Sequence, residues 1–163
     1  MSDLHLHKTV IGLKPKVRAD VAKILNVLLA DLADLYSQTK QAHWNVRGPH
    51  FITLHLLFDK QAEVVFANID PLAERISAIG GSPNGTVRAA AKHSHLKEFP
   101  TEGKNGMGYL EALIVRFGET GNAFRDAVDK TADLGDMASS DLLTGMLREL
   151  DQALWFLEAH HAE

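Results

Sequence analysis

His43-Trp44-Asn45-Val46-Arg47-Gly48-Pro49-His50-Phe51-Ile52-Thr53-Leu54-His55 is the stretch on which the fold turns. Before it, Val17, Val21, Ile24, Leu25, Leu28, Leu32, Leu35, Tyr36 and Thr39 fall on one stripe between about Lys16 and His43. That is the period of a helix with one buried face, and Pro15 suits its first turn. Gly48-Pro49 breaks the pattern. After the break, Phe51, Leu54, Phe58, Ala62, Val65, Ile69, Leu72 and Ile76 keep the same spacing for about seven turns. Gly80-Gly81-Ser82-Pro83 then stops the second helix. Two long amphipathic helices joined by a short link form an antiparallel hairpin.

The second half repeats the scheme. A connection over residues 82–106 holds a short helix expected from Thr86 to His93, then Glu98-Phe99-Pro100 and a glycine-bearing turn. A third long helix, near Met107 to Thr131, carries Leu110, Leu113, Ile114, Phe117, Phe124 and Val128. A fourth, near Ser139 to His160, carries Leu143, Met146, Leu147, Leu150, Leu154 and Leu157. The expectation is an all-α, ferritin-like four-helix bundle over residues 16–163, with a short extra helix in the long connection between helices 2 and 3. Residues 1–15 are expected to form a mobile tail.

Composition narrows the function. The chain has 163 residues, 45% hydrophobic and 23% charged, which is one globular domain. Its 17 Lys and Arg against 21 Asp and Glu leave a formal charge of −4, which excludes a strongly basic nucleic-acid clamp. Without cysteine there are no disulfides, thiolate metal sites or cysteine nucleophiles. Met1 to Lys8 shows no apolar run of the signal-peptide kind. No stretch reaches the roughly 18 apolar residues of a membrane span. A soluble, cytoplasmic chain with no membrane partner is expected. Nine histidines and many carboxylates are raw material for a metal site.

The second helix carries His55 and Asp59, four apart, and Asp70 and Glu74, also four apart. Each pair sits on one face, one turn apart, as two ligands for one ion would. At about 100° per residue, with His55 at zero, Asp59 falls near 40°, Asp70 near 60° and Glu74 near 100°. The apolar stripe centres near −60° on the same scale. The two pairs lie about 22 Å apart along a helix, whereas metal–ligand bonds are near 2 Å. One straight helix cannot close such a site. A two-fold dimer with these helices antiparallel does so, twice per dimer, and His43 is placed to complete the His/Asp half. Two plainer readings stand beside it. Polar i,i+4 pairs are common on solvated faces, and Asp70-Pro71 has the form of an N-cap with a helix restart or kink.

From Lys40-Gln41-Ala42-His43-Trp44-Asn45-Val46-Arg47-Gly48-Pro49-His50-Phe51, the chain resembles the Dps family, the mini-ferritins named as DNA-binding proteins from starved cells. The similarity runs on through Leu54-His55-Leu56-Leu57-Phe58-Asp59, Asp70-Pro71-Leu72-Ala73-Glu74-Arg75, Gly80-Gly81 and Leu150-Asp151-Gln152-Ala153-Leu154-Trp155-Phe156-Leu157. The resemblance implies a hollow dodecameric shell with a ferroxidase centre at each end of every two-fold interface. His43, His55 and Asp59 match the iron ligands from one subunit, and Asp70 and Glu74 match those from its partner. It implies oxidation of Fe²⁺, by hydrogen peroxide in preference to dioxygen, and storage of ferric iron in the cavity. Protection of DNA against oxidative stress follows, in the bacterial cytoplasm at the nucleoid. Zinc or another divalent ion suits the same ligands. Ordinary ferritins build the centre inside one bundle from Glu-x-x-His on two helices. Here only Glu158 to His161 matches, at a terminus.

Acidic residues open the fourth helix. Asp133, Asp136 and Asp141 suit ordinary capping and dipole electrostatics. The resemblance assigns Asp136 and Asp141 to a three-fold iron pore. Trp44 reads most simply as an interface aromatic. Lys8, Lys14, Lys16 and Arg18 make a thin basic tail, expected to give weak, non-specific DNA binding through the avidity of many copies. The rival functions are a DNA-compacting architectural protein with secondary iron chemistry, and a helical module without metal.

Overall fold

The computed structural model describes residues 6–100 and 105–161. It contains α1 (Pro15–Asn45), α2 (Phe51–Ala78), the short α3 (Val87–His93), α4 (Gly106–Asp133) and α5 (Met137–His161). No strand occurs among the described residues. The hairpins α1–α2 and α4–α5 pack face to face, with α1 against α4 and α2 against α5. None of the helices is long and apolar enough to cross a membrane, among the described residues.

The expected helix boundaries are met to within two or three residues, and the stops have local causes. At the end of α2, Gly80 N donates to Ser77 O (2.9 Å) and Gly81 N to Ile76 O (2.8 Å), with Gly80 at φ +83°. This pair of reversed bonds closes a helix around a left-handed glycine. The end of α4 repeats it. There Gly135 N meets Ala132 O at 2.8 Å and Asp136 N meets Thr131 O at 3.0 Å, with Gly135 at φ +85°. Pro71 sits inside α2 without interrupting it. The carbonyl it leaves unbonded belongs to exposed Ala67, where water can serve it. The restart reading of Asp70-Pro71 therefore does not apply.

The core is the four apolar stripes brought together. Leu25, Leu32, Leu35, Phe58, Val65, Leu72, Ile76, Leu110, Phe117, Phe124, Leu150 and Leu157 are fully buried. Each large side chain contributes about 1.5–3 kcal/mol by leaving water. The stripe of α1 also buries polar residues, and these sew the long connection to the bundle. Asn26 Nδ2 donates to Ser82 O (3.2 Å), and Asn26 Oδ1 accepts from Asn84 N (2.8 Å). Asp31 Oδ1 accepts from His95 N (2.7 Å), and Gln38 Nε2 donates to Lys97 O (3.1 Å). Burial pushes the Asp31 carboxyl above the usual carboxylate range, against the His95 amide bond, which lowers it. Backbone groups of a connection lying on a core helix need such partners.

The amino-terminal expectation changes. His7 N donates to Gly80 O at 2.7 Å, and Arg18 Nη1 donates to His7 O and Ile79 O at 3.3 Å each. Arg18 is buried, because α1 begins at Pro15 and puts it on the inward stripe with Val21, Ala22 and Leu25. It fastens the end of α2 and is not available to DNA. Lys16 is exposed but pairs with Asp20 at 2.6 Å. Lys8 and Lys14 remain exposed, and the first five residues of the expected tail lie outside the described residues.

Candidate metal centre

His43 lies in the last turn of α1 and His55 in the second turn of α2. The carbonyls of a final helical turn lack intrahelical donors, and the ring of His55 supplies one. Its Nδ1 lies 3.0 Å from His43 O, while His43 Nδ1 lies 2.8 Å from His55 O. A carbonyl can only accept, so each Nδ1 carries the hydrogen and each neutral ring keeps its Nε2 lone pair. This is the arrangement in which a histidine binds metal, its other nitrogen held by a fixed acceptor. The rings stack at 3.8 Å between centroids, and Phe51 backs His55 at 5.1 Å.

Asp59 stands one turn further along α2, with Oδ1 at 3.9 Å from His43 Nε2. The same oxygen accepts from Lys40 Nζ at 2.6 Å. That bond holds the carboxyl of Asp59 below the usual carboxylate range, against some desolvation and with help from the Lys40 charge. Asp59 is thus an anion facing an imidazole nitrogen with a free lone pair. Sequence reasoning misses Lys40. Its only signal is a cation one helical turn before His43, within reach of Trp44, over whose ring its Nζ lies at 5.9 Å.

The structure brings His43, His55 and Asp59 together and leaves Asp70 and Glu74 towards the opposite end of α2, away from them. No group of three or more His, Asp or Glu within the chain is arranged to hold a metal ion, among the described residues. The outer face of α2 shows what is missing. Ile52, Leu56 and Phe66 are each about 60% exposed, and they share the face of Asp59, Glu63, Asp70 and Glu74. At about 100° per residue these seven positions span an arc of roughly 80°. Exposed apolar residues along one helix face, interleaved with carboxylates, suit a surface that meets a partner. Trp44 beside it is 68% exposed. With Tyr36, Lys40, Phe66, Ile69 and Val87 it lines an apolar groove of about 440 Å³ next to the stripe.

The acidic residues of α5 divide. Asp141 is exposed, as a pore residue must be. Asp136 is 2% exposed and caps the helix, accepting from Ser139 N (3.1 Å) and Ser139 Oγ (2.6 Å) and pairing with Arg75 at 2.7 Å. Its carboxylate is consumed by the fold, so Asp136 is not a pore residue. His161 Nε2 meets Glu111 Oε1 at 3.3 Å on the surface, and neither is bonded to the His43–His55 pair.

A family model described as a ferritin-like domain matches residues 22–163. The chain is 41% identical to the DNA protection during starvation protein of Agrobacterium fabrum, over 96% of this chain and 97% of that one. It superposes on the Mycobacterium smegmatis Dps tetragonal form with a TM-score of 0.89 and 36% identity, covering 94% of this chain and 92% of that one. Against DpsC from Streptomyces coelicolor the TM-score is 0.92 at 30% identity, with 97% and 92% covered.

Proposed function

Since the chain belongs to the Dps family of ferritin-like proteins, we propose that it oxidises Fe²⁺ and stores the ferric product, and so protects DNA. The observation that carries this is the reciprocally bonded, stacked pair His43–His55, which leaves both Nε2 atoms as ligands beside ionised Asp59. Asp70 and Glu74 of a second copy complete the centre, with two antiparallel α2 helices meeting along the exposed stripe. Six such dimers close the dodecameric shell.

Iron is the substrate. Imidazole with carboxylate suits Fe²⁺, and the oxygen-rich half favours Fe³⁺; Zn²⁺ fits the same set as a competitor. Two Fe²⁺ ions each give one electron to one H₂O₂, whose O–O bond breaks to leave two hydroxides and no hydroxyl radical. Dioxygen is the slower alternative oxidant. Within the chain, the two backbone carbonyls fix the imidazole tautomers, and Lys40 keeps Asp59 charged and positioned while no iron is bound. Asp141 concentrates cations at a pore by focused negative potential.

The test is iron-dependent peroxide consumption by the assembled protein, with light scattering for assembly. His43→Ala and His55→Ala are expected to lose fast oxidation while still assembling, because neither side chain belongs to the core. A monomer at micromolar concentration, or wild-type rates in these variants, refutes the reading.

A further inference from the structure

We propose that the connection between α2 and α4, through Arg88, Lys92 and Lys97, is the surface that meets the phosphates of duplex DNA. The proposal goes beyond the iron chemistry and rests on the reading of the chain as a DNA-protecting protein. The cations of the molecule are unevenly spent. Lys16, Lys23, Lys40, Lys60, Arg75, Arg116 and Arg125 all sit in ion pairs, and Arg18 is buried against carbonyls. Arg88, Lys92 and Lys97 are exposed and form no ion pair among the described residues; Arg47 and Arg148 are exposed and unpaired too, but each stands alone in its stretch of chain. They fall in the run from Arg75 to Lys97, which contains no Asp or Glu in a chain with 21 of them. Lys130, by contrast, stands among Asp126, Asp129 and Asp133.

Fixed placement distinguishes this patch from an ordinary solvated loop. Val87, Ala90 and Ala91 turn α3 towards the groove on α1 and α2. Arg88 and Lys92, four apart, share a flank about 100–140° round from Val87. The backbone on either side of α3 is tied to Asn26, Asp31 and Gln38, and Lys97 is itself anchored through its carbonyl to Gln38. Duplex DNA presents one phosphate per roughly 1.7 Å of axis, so three cations held on one connection meet more than one at once. Preorganised cations lose less freedom on binding than those on a tail. The acids nearby do not cancel them. Asp31 is buried under the loop, with its Oδ2 turned to His95 Nδ1 at 3.6 Å. Asp34 is half-buried and bonded to Gln38, and exposed Glu98 adjoins Lys97 but not Arg88 or Lys92.

The experiment titrates the assembled shell into a fluorescent duplex over a salt series and reads anisotropy. Arg88→Gln/Lys92→Gln/Lys97→Gln is expected to weaken binding at low salt and flatten the log–log salt slope by about 0.9 for each phosphate no longer neutralised. Lys8→Gln/Lys14→Gln is expected to leave both unchanged. Should the triple variant fail to assemble, acetylation of the wild-type shell with and without duplex reads the same surface, with Lys92 and Lys97 protected and Lys8 and Lys14 not. Unchanged binding in the triple variant, a loss of binding in the tail variant, protection at Lys8 and Lys14 alone, or binding to anionic vesicles with none to duplex overturns the proposal. A wild-type shell that consumes peroxide with iron but binds no duplex at any salt overturns it too, and leaves the ferroxidase reading standing. Patch-dependent DNA binding without iron oxidation does the reverse.

Discussion

Mixing two dead proteins should make a live one. Asp59→Ala removes the carboxylate that faces His43, and Glu74→Ala removes one about 22 Å away along the same helix. Neither change should unfold the chain. Both side chains lie on the outer face of α2, and the Lys40–Asp59 pair is a partly exposed bridge of the kind that contributes about 0–1 kcal/mol. If the centre takes one half from each chain, as proposed, each variant alone spoils every site. When the two are unfolded, mixed equally and refolded, about half of the dimers pair unlike chains. One site of such a dimer collects both lesions and the other collects none, so about a quarter of all sites are intact. Stopped-flow oxidation of Fe²⁺ should therefore recover roughly a quarter of the wild-type amplitude. Mixing without unfolding should recover none if the shells do not exchange subunits. A mixture as inactive as its components would mean that the centre is built within one chain, and the stripe on α2 would need another explanation.

Three further outcomes follow from contacts in the fold. Gly80→Ala places a Cβ 2.7 Å from Arg18 Nη1 and 2.8 Å from His7 O at φ +83°; it should cost about 1–3 kcal/mol in urea unfolding and expose the His7 amide to hydrogen exchange. Arg75→Met strands the buried carboxylate of Asp136 and should destabilise by about 3 kcal/mol, with Asp136→Asn in the same background restoring part of the loss. The raised pKa of Asp31 means that the folded state disfavours its charge. Its contribution to stability is thus full below the unfolded pKa and is lost as pH rises through the folded one. Asp31→Asn should melt higher than wild type at neutral pH and converge with it in acid; a gap that widens in acid would reverse the assignment.

Periodicity is enough for the helices, because each stripe buries one face and Leu25, Phe58, Phe117 and Leu150 each lie where the 3–4 spacing puts them. The polar members of those stripes are not legible. Asn26, Asp31 and Gln38 occupy core positions of α1, but their partners lie 56 to 64 residues away in a connection without pattern. Arg18 reads as tail charge although it falls three before Val21 and seven before Leu25, the spacing that buries it. Among the candidate ligands, His55 and Asp59 announce themselves by i,i+4 spacing, as do Asp70 and Glu74, which the single chain leaves apart from them. Lys40 does not, since its bond to Asp59 crosses from one helix to the other. Asp136 shows the converse error. Its place at a helix start suits capping as well as a pore, and only burial decides between them.

The bonds between His43 and His55 join residues twelve apart in one hairpin. A loop of that size closes at little entropic cost, and helical hairpins are among the quickest units to form because their contacts are local. The hairpin that carries the candidate ligands is therefore expected to be assembled early in folding, before α4 and α5 have docked. Lesions in the second hairpin should lower yield and shell stability while leaving the chemistry of each surviving centre as it was. Order of folding and order of assembly then coincide: on the proposed reading, a finished half-centre waits on the surface for its other half, and iron turnover is expected to begin only when two chains have met.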